Sequence, residues 1–363
     1  MSGGVDSSVA AALLVEQGYD VIGITMKTHS FEDFGGNVHN ESSCCSLDGI
    51  NDARRVCGQL GIPHYVLDFS GAFLESVVNP FVEGYIGGTT PNPCVLCNRR
   101  IKWEHLIRKA RSLGAELVAM GHYARVVSGS KGSRHWIQRG ADEGKDQSYA
   151  LWALSQDSLR RTLFPLGNMR KEEARAHARR FDLHTAAKGE SFEICFIPDN
   201  DYGRFLRDRI DGLDASVRGG DIVFERQVIG THDGYPFYTI GQRRGLNIAI
   251  GEPLYVTSID AASNTVHVGR ESDLYSKGCV VRDIVMQKHT YPDSEIRITA
   301  RIRYRDPGAP AMLRPASEGR LIVEFDEKRR AITPGQSVVF YDGDDVVGGG
   351  IINSVIAKEH DAE

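Results

Sequence analysis

Over its 363 residues the chain has no apolar run approaching the ~20 residues that a bilayer-crossing helix requires, and no secretory leader is expected. A helical membrane protein is thereby excluded and a cytoplasmic one expected. It also lacks an even cysteine framework. Seven cysteines, among them adjacent Cys44 and Cys45 and a single Cys94-x-x-Cys97 pair, argue against a secreted disulfide scaffold and for reduced, partly reactive thiols. No second Cys-x-x-Cys and no histidine pair at finger spacing completes a structural zinc site around Cys94 and Cys97. A net charge of −5 gives no global attraction for nucleic acid, so any RNA surface must be local. Repeats and low-complexity tracts are missing as well, and only Lys358–Glu363 reads as a frayed tail. What is present, 41% hydrophobic and 25% charged residues in a chain too long for one core, suits a globular enzyme of two or three domains.

The most informative segment is Ser2-Gly-Gly-Val-Asp-Ser-Ser8, leading into the apolar run Val9–Val15 and Gly18. Glycines let backbone N–H groups turn toward an anion, and the helix that follows adds its partial positive charge and serine hydroxyls. The loop has no Gly-Lys-Ser/Thr ending, so it is not the loop in which an internal lysine reaches the β- and γ-phosphates. It resembles instead the pyrophosphate loop of the ATP pyrophosphatases, which cleave ATP between its α- and β-phosphates. Such loops follow a buried parallel strand. None precedes this one, so the first strand is expected to be missing from this chain and to lie upstream of it.

Val21–Met26, His64–Leu67 and Leu117–Met120 read as buried strands, and the helical spacing of Ile50, Ala53, Val56, Cys57 and Leu60 lies between the first two. This alternation predicts a doubly wound parallel α/β sheet over residues 1–200, with ligands at the strand C-terminal ends. The polar stretch Lys27–Ser46 is a long loop. Beyond Asp199 a short helix, Tyr202–Ile210, gives way to β segments at Asp221–Ile229, Phe237–Ile240, Leu254–Ile259 and Val266–Gly269. From about Val280 come Ile296–Arg303, Arg320–Phe325, Ser337–Tyr341 and Val346–Ile352. A β-rich middle domain, 201–272, and a C-terminal β-barrel, 273–363, are expected.

Trp103, Leu106, Ile107, Ala110 and Leu113 make a helical stripe for which Asn98 is a plausible N-cap. Cys97 would then sit at a helix start beside Arg99 and Arg100, and both features favour thiolate over thiol. Cys195 lies in the apolar stretch Ile194–Pro198, flanked by Glu190, Glu193, Asp199 and Asp201, which suggests a strand end facing water. Two windows, 97–111 and 160–180, are each net +5, either solvated helix faces or phosphate grips.

Together, Ser2–Ser8, Pro91–Asn98, Gly121–Ala124, Lys145–Tyr149, Phe164–Gly167, Ile194–Ile197 and Thr239–Leu246 resemble the bacterial tRNA-specific 2-thiouridylases over essentially the whole chain. The resemblance implies ATP-dependent adenylation of O2 of the wobble uridine, then displacement of AMP by a persulfide sulfur. It implies that Ser2, Gly3, Gly4, Asp6, Ser7 and Ser8 hold the phosphates, with Asp6 on magnesium, and that Met26 and Gly121 lie by the nucleotide. Cys195 would carry the persulfide, and Cys97 would release its sulfur by forming a disulfide with it. Asn92, Pro93 and Cys94 would meet the target base. His122, Lys145, Asp146, Gln147, Arg303, Tyr304 and Gln336 would contact tRNA, and a cysteine desulfurase or sulfur-relay protein would supply sulfur. Many members carry aspartate where this chain has Cys94, which a thiol does not replace cleanly at pH 7. Cys94, Cys97 and Cys195 could instead converge on an iron–sulfur cluster. An amide-forming ATP pyrophosphatase and a non-catalytic RNA-binding member are the further alternatives.

Overall fold

The computed structural model describes residues 1–28, 47–130, 133–189, 194–248 and 250–356. Most of the loop that ends at Ser46, with Cys44 and Cys45, lies outside these, as do Glu190, Glu193 and the tail from Lys358. The chain divides into two compact units, one of residues 1–78, 93–201 and 344–346, the other of residues 79–92, 202–343 and 347–363.

In the first unit Val5–Glu16 is a helix of mainly Ala, Val and Leu, buried from Val5 through Leu14 apart from its polar positions 6 and 7. A helix apolar on nearly every side belongs in a core. It ends where Gly18 turns left-handed at φ +83° and the N–H of Tyr19 closes on the Leu14 carbonyl at 3.0 Å. Two parallel strand pairs follow. Gly23–Lys27 lies against His64–Asp68, with Met26 opposite Leu67, and Val118–Ala119 lies against Thr162–Leu163. Among the described residues no strand joins the two pairs, so the doubly wound sheet is represented by its two flanks. Val5, Val9 and Leu13 pack against Ala174, Ala178 and Leu183, with Tyr123 and Leu166 in the same cluster. That packing lays the helix Lys171–Arg180 beside the Ser2–Ser8 loop.

The helix expected to start at Asn98 starts earlier. Pro93–Leu96 is α-helical, Cys97–His105 is π-helical and Leu106–Ser112 is α-helical again. Proline tolerates the first helical turn, where its missing N–H costs nothing. Asn98 is therefore inside the helix, not at its cap.

In the second unit, strands Gln227–His232, Gly220–Phe224, Thr265–Gly269 and Tyr255–Asp260 form a four-stranded sheet in that order. Phe237–Ile240 is not a strand: Tyr235–Phe237 is a single 3-10 turn. Tyr275–Met286, Leu321–Arg330, Ala309–Pro315, Ile296–Arg301, Ser337–Asp342 and Asp345–Val355 neighbour one another in that order, and the last pairs back onto the first. This closed six-stranded barrel is filled by Val281, Ile298, Leu313, Val323, Phe325 and Phe340. Closure removes every open edge.

Candidate active site

The Ser2–Ser8 loop is shaped by its glycines. Gly3 has φ +71°, and a Cβ there would fall 2.2 Å from the Gly49 carbonyl oxygen. Gly4 is the N-cap residue of the first helix, and no side chain caps that helix. Ser7 and Ser8 both donate to the Gly4 carbonyl, at 3.1 and 2.8 Å. Gly121 closes over the loop from the end of the Val118–Ala119 strand: a Cβ on it would lie 2.8–2.9 Å from the backbone of Asp6 and Ser7. The Ser2–Ser8 residues and Gly121 are thus brought together at one point, and Met26 lies near the end of the strand Gly23–Lys27.

The acid of the loop is already in a network. Asp6 accepts from the Lys171 ammonium at 2.7 and 2.8 Å and from the Tyr123 hydroxyl at 2.8 Å. A second lysine, Lys188, donates to the Gly3 carbonyl at 3.1 Å and to Asp52 at 2.7 Å, and His184 meets the other Asp52 oxygen at 2.9 Å. Burial raises the Asp52 pKa, but the Lys188 and His184 contacts outweigh it and hold the carboxyl below its ordinary range. Lys171 was legible only as a member of the basic window 160–180 and Lys188 lies outside both windows, since nothing in the sequence places either on a loop more than 160 residues away.

Cys97 opens the π-helical segment, and Cys94 stands exposed one turn before it. Short π-helical insertions recur at functional sites. Arg99 and Arg100, the neighbours that follow it in the chain, both pair with Glu104, at 3.3 and 2.8 Å. Cys195 is not at a strand end. It lies in a turn in which Ile197 N–H donates to the Ile194 carbonyl at 2.9 Å, anchored by buried Phe196 and Ile197. Phe196 packs edge-on against Phe73 with ring centroids 5.6 Å apart. Phe73 leads into the π-helical turn Leu74–Val78, which packs against the Cys97–His105 segment. Both half-buried thiols therefore hang from one support. Cys94, Cys97 and Cys195 are not gathered as a ligand set: among the described residues no three His, Cys, Asp or Glu side chains are placed to hold a metal.

Beside this helix, His122 is wedged between Trp103 and Phe164, with ring centroids 5.6 and 5.7 Å away. Its Nδ1 is buried and has no hydrogen-bond partner among the described residues. Burial, reinforced by the Lys102 charge, pushes its pKa well below the usual imidazole value, so the ring is neutral. Asn98 donates to the Ala150 carbonyl at 2.9 Å, while its buried Oδ1 has no partner among the described residues. Of the Lys145–Gln147 trio, Asp146 is buried and takes the N–H groups of Gly140 and Ser148 and the Ser148 hydroxyl. Gln147 is clasped to Tyr123 through both backbone and side chain. Lys145 is half-buried.

In the second unit, Gln336 donates to the Thr90 carbonyl at 2.8 Å, in the segment that ends at Asn92. Arg303 donates to the Arg330 carbonyl at 2.6 Å, and Tyr304 is exposed.

Comparison with known proteins bears on this arrangement. Three family models cover nearly the whole chain. A "tRNA methyl transferase HUP domain" matches residues 1–199, a "tRNA methyl transferase PRC-barrel domain" residues 206–270, and an "aminomethyltransferase beta-barrel domain" residues 276–352. The tRNA-specific 2-thiouridylase MnmA of Salinibacter ruber is 50% identical over 100% of this chain and 95% of its own. Its counterpart in Cytophaga hutchinsonii is 49% identical over 99% and 97%, respectively. The chain belongs to the tRNA-specific 2-thiouridylase family. Its fold is that of the family: a HUP domain bearing the pyrophosphate loop, a small β-rich domain and a β-barrel. ATP with Mg2+ is the nucleotide that such a domain takes. The solved U34-tRNA thiolase NcsA from Methanococcus maripaludis, which carries a 4Fe-4S cluster, overlaps 58% of this chain and 65% of its own. At 21% identity and a TM-score of 0.34 that likeness says nothing about a cluster here.

Proposed function

We propose that this chain converts the wobble uridine of tRNA to 2-thiouridine, with the HUP domain, residues 1–200, catalytic and residues 201–272 and 273–363 serving RNA binding. The observation that carries the proposal is the placement, in one unit, of an anion loop clamped by Gly121 and two half-buried thiols on a common support. Uridine O2 is a poor leaving group until it is adenylated, which is why the reaction consumes ATP. O2 attacks the α-phosphorus and pyrophosphate departs from the Ser2–Ser8 loop, its charge met by loop N–H groups and hydroxyls. Magnesium would be held by Asp6 and would neutralise phosphate charge.

The terminal sulfur of a Cys195 persulfide then adds to C2 and AMP leaves. Cys97 thiolate attacks the Cys195 sulfur, so the S–S bond of the persulfide breaks, the product keeps the outer sulfur and a Cys97–Cys195 disulfide remains. A thiol reductant resets the pair. The persulfide is supplied by a cysteine desulfurase or sulfur-relay protein, in the cytoplasm. Asn92, Pro93 and Cys94 are the groups offered to a splayed-out base, and His122 lies on the tRNA side of the same helix. Lys145, Arg303, Tyr304 and the exposed Arg108, Lys109 and Arg111 are offered to the tRNA backbone. Met26 faces the adenine, and Asp146, Gln147 and Gln336 position the surfaces they fasten.

Replacing Cys195 or Cys97 with serine is expected to abolish 2-thiouridine formation while tRNA affinity stays within a few fold, because affinity resides in phosphate contacts. Full activity of Cys195→Ser would overturn the persulfide route. Stoichiometric iron on the anaerobically purified protein, lost together with activity in Cys94→Asp, would replace it with a cluster.

A further inference from the structure

The pyrophosphate loop contains no lysine, yet a lysine ammonium stands on its only carboxylate. Lys171 belongs to the helix Lys171–Arg180, and its side chain is only 8% exposed. It is fixed at both ends. Its backbone N–H donates to Asp142 at 2.9 Å, and its ammonium reaches both Asp6 oxygens while lying 5.6 Å from the centre of the Tyr123 ring. A buried ammonium is tolerated only beside a counter-charge, and losing that partner is strongly unfavourable.

If Asp6 turns to a magnesium ion on the nucleotide, Lys171 loses its carboxylate and requires another anion within the same reach. The oxygen that meets this requirement is one on the phosphate bound at the same loop. We infer that Lys171 is a phosphate-binding residue of this enzyme: it exchanges Asp6 for the β,γ half of ATP and holds the pyrophosphate as it leaves. The loop thus takes from a distant helix the cation that other phosphate loops carry internally. This inference rests on the nucleotide reading of the loop and adds to it a named residue and a named half of the nucleotide.

The alternative is that Lys171 only neutralises Asp6. Inorganic pyrophosphate with Mg2+, titrated calorimetrically into the full-length protein, separates the two. Binding by wild type tests the loop itself, and its absence would overturn the nucleotide reading, Lys171 included. Given binding, the decisive comparison is Asp6→Asn against Asp6→Asn/Lys171→Met, in both of which the Asp6 carboxylate is gone. A phosphate-binding Lys171 predicts a further loss of about tenfold to a hundredfold in pyrophosphate affinity in the double variant, the scale of one charge-assisted hydrogen bond. AMP affinity is expected to be equal in the two variants, and Lys171→Arg in the Asp6→Asn background is expected to recover part of the loss. Equal pyrophosphate affinity of the single and double variants, with both folded by their melting curves, would overturn the inference.

Discussion

Gly121→Ala is the most demanding test of the loop geometry, because it adds one methyl group and no charge. That carbon would sit 2.8 Å from the Asp6 carbonyl carbon and 2.9 Å from both the Asp6 oxygen and the Ser7 nitrogen. Carbon contacts are at rest near 3.5–4 Å, so the backbones must part by about an ångström. Neither side yields easily. Asp6 is held by Lys171 and Tyr123, and the segment after Gly121 is held by Gln147 on Tyr123. Overpacking of this kind costs about 1–3 kcal/mol. Because the displaced atoms include loop backbone, the strain should fall on nucleotide binding: ATP affinity drops about fivefold to a hundredfold. Titration calorimetry with ATP and Mg2+, paired with thermal unfolding, measures both effects. Gly58→Ala is the control. Gly58 is exposed in the helix Leu47–Leu60 with nothing within 4 Å of a Cβ, so alanine is expected to stabilise by about 0.5–1 kcal/mol and leave ATP affinity unchanged. Wild-type ATP affinity in Gly121→Ala would refute the close approach.

Thr162→Val is expected to cost about 1–3 kcal/mol, since it strands the buried Trp103 indole N–H that now donates to Thr162 at 2.6 Å; thermal unfolding beside Thr162→Ser checks it. His122 gives a pH signature. The unfolded ring takes a proton near pH 6.5, whereas the folded ring refuses it, so stability is intact above about pH 6.5 and falls with pH below it, by up to about 1.4 kcal/mol per unit. His122→Asn is expected to flatten that slope by one proton in denaturant titrations between pH 5 and 7, leaving the share of His64, His135 and His232, also held low. An unchanged slope would place His122 in contact with water. Cys94→Asp is expected to retain thiolation, because the persulfide route needs only Cys97 and Cys195.

What the sequence disclosed and what it concealed have physical causes. The loop was legible because its Asp-Ser-Ser ending ahead of an apolar run separates an anion cradle from the common Ser/Gly turn that merely caps a helix. The hairpin between Gly220–Phe224 and Gln227–His232 reads in the sequence as one segment, because its turn residues Glu225 and Arg226 are left-handed without being glycine or asparagine. Strand Ala309–Pro315 is hidden by its prolines. Pro310 faces Thr299 on one side, while pairing with the other neighbour begins only at Ala311, so the ladder survives the missing N–H. The helix begins at Pro93, well ahead of the apolar stripe that opens at Trp103, and reading its start from that stripe makes Asn98 look like a cap. The Lys171–Asp6 pair spans 165 positions and follows from packing one helix on another, which no local pattern reports.

The proposed reaction meets its sharpest test when the purified protein is incubated with ATP, Mg2+, a persulfide donor and unmodified tRNA, and AMP and 2-thiouridine are counted by nucleoside mass analysis. AMP and 2-thiouridine are expected in equal amounts, with no AMP in the absence of tRNA. AMP formed at the same rate without tRNA, or tRNA bound with neither product made, would contradict tRNA thiolation by this chain.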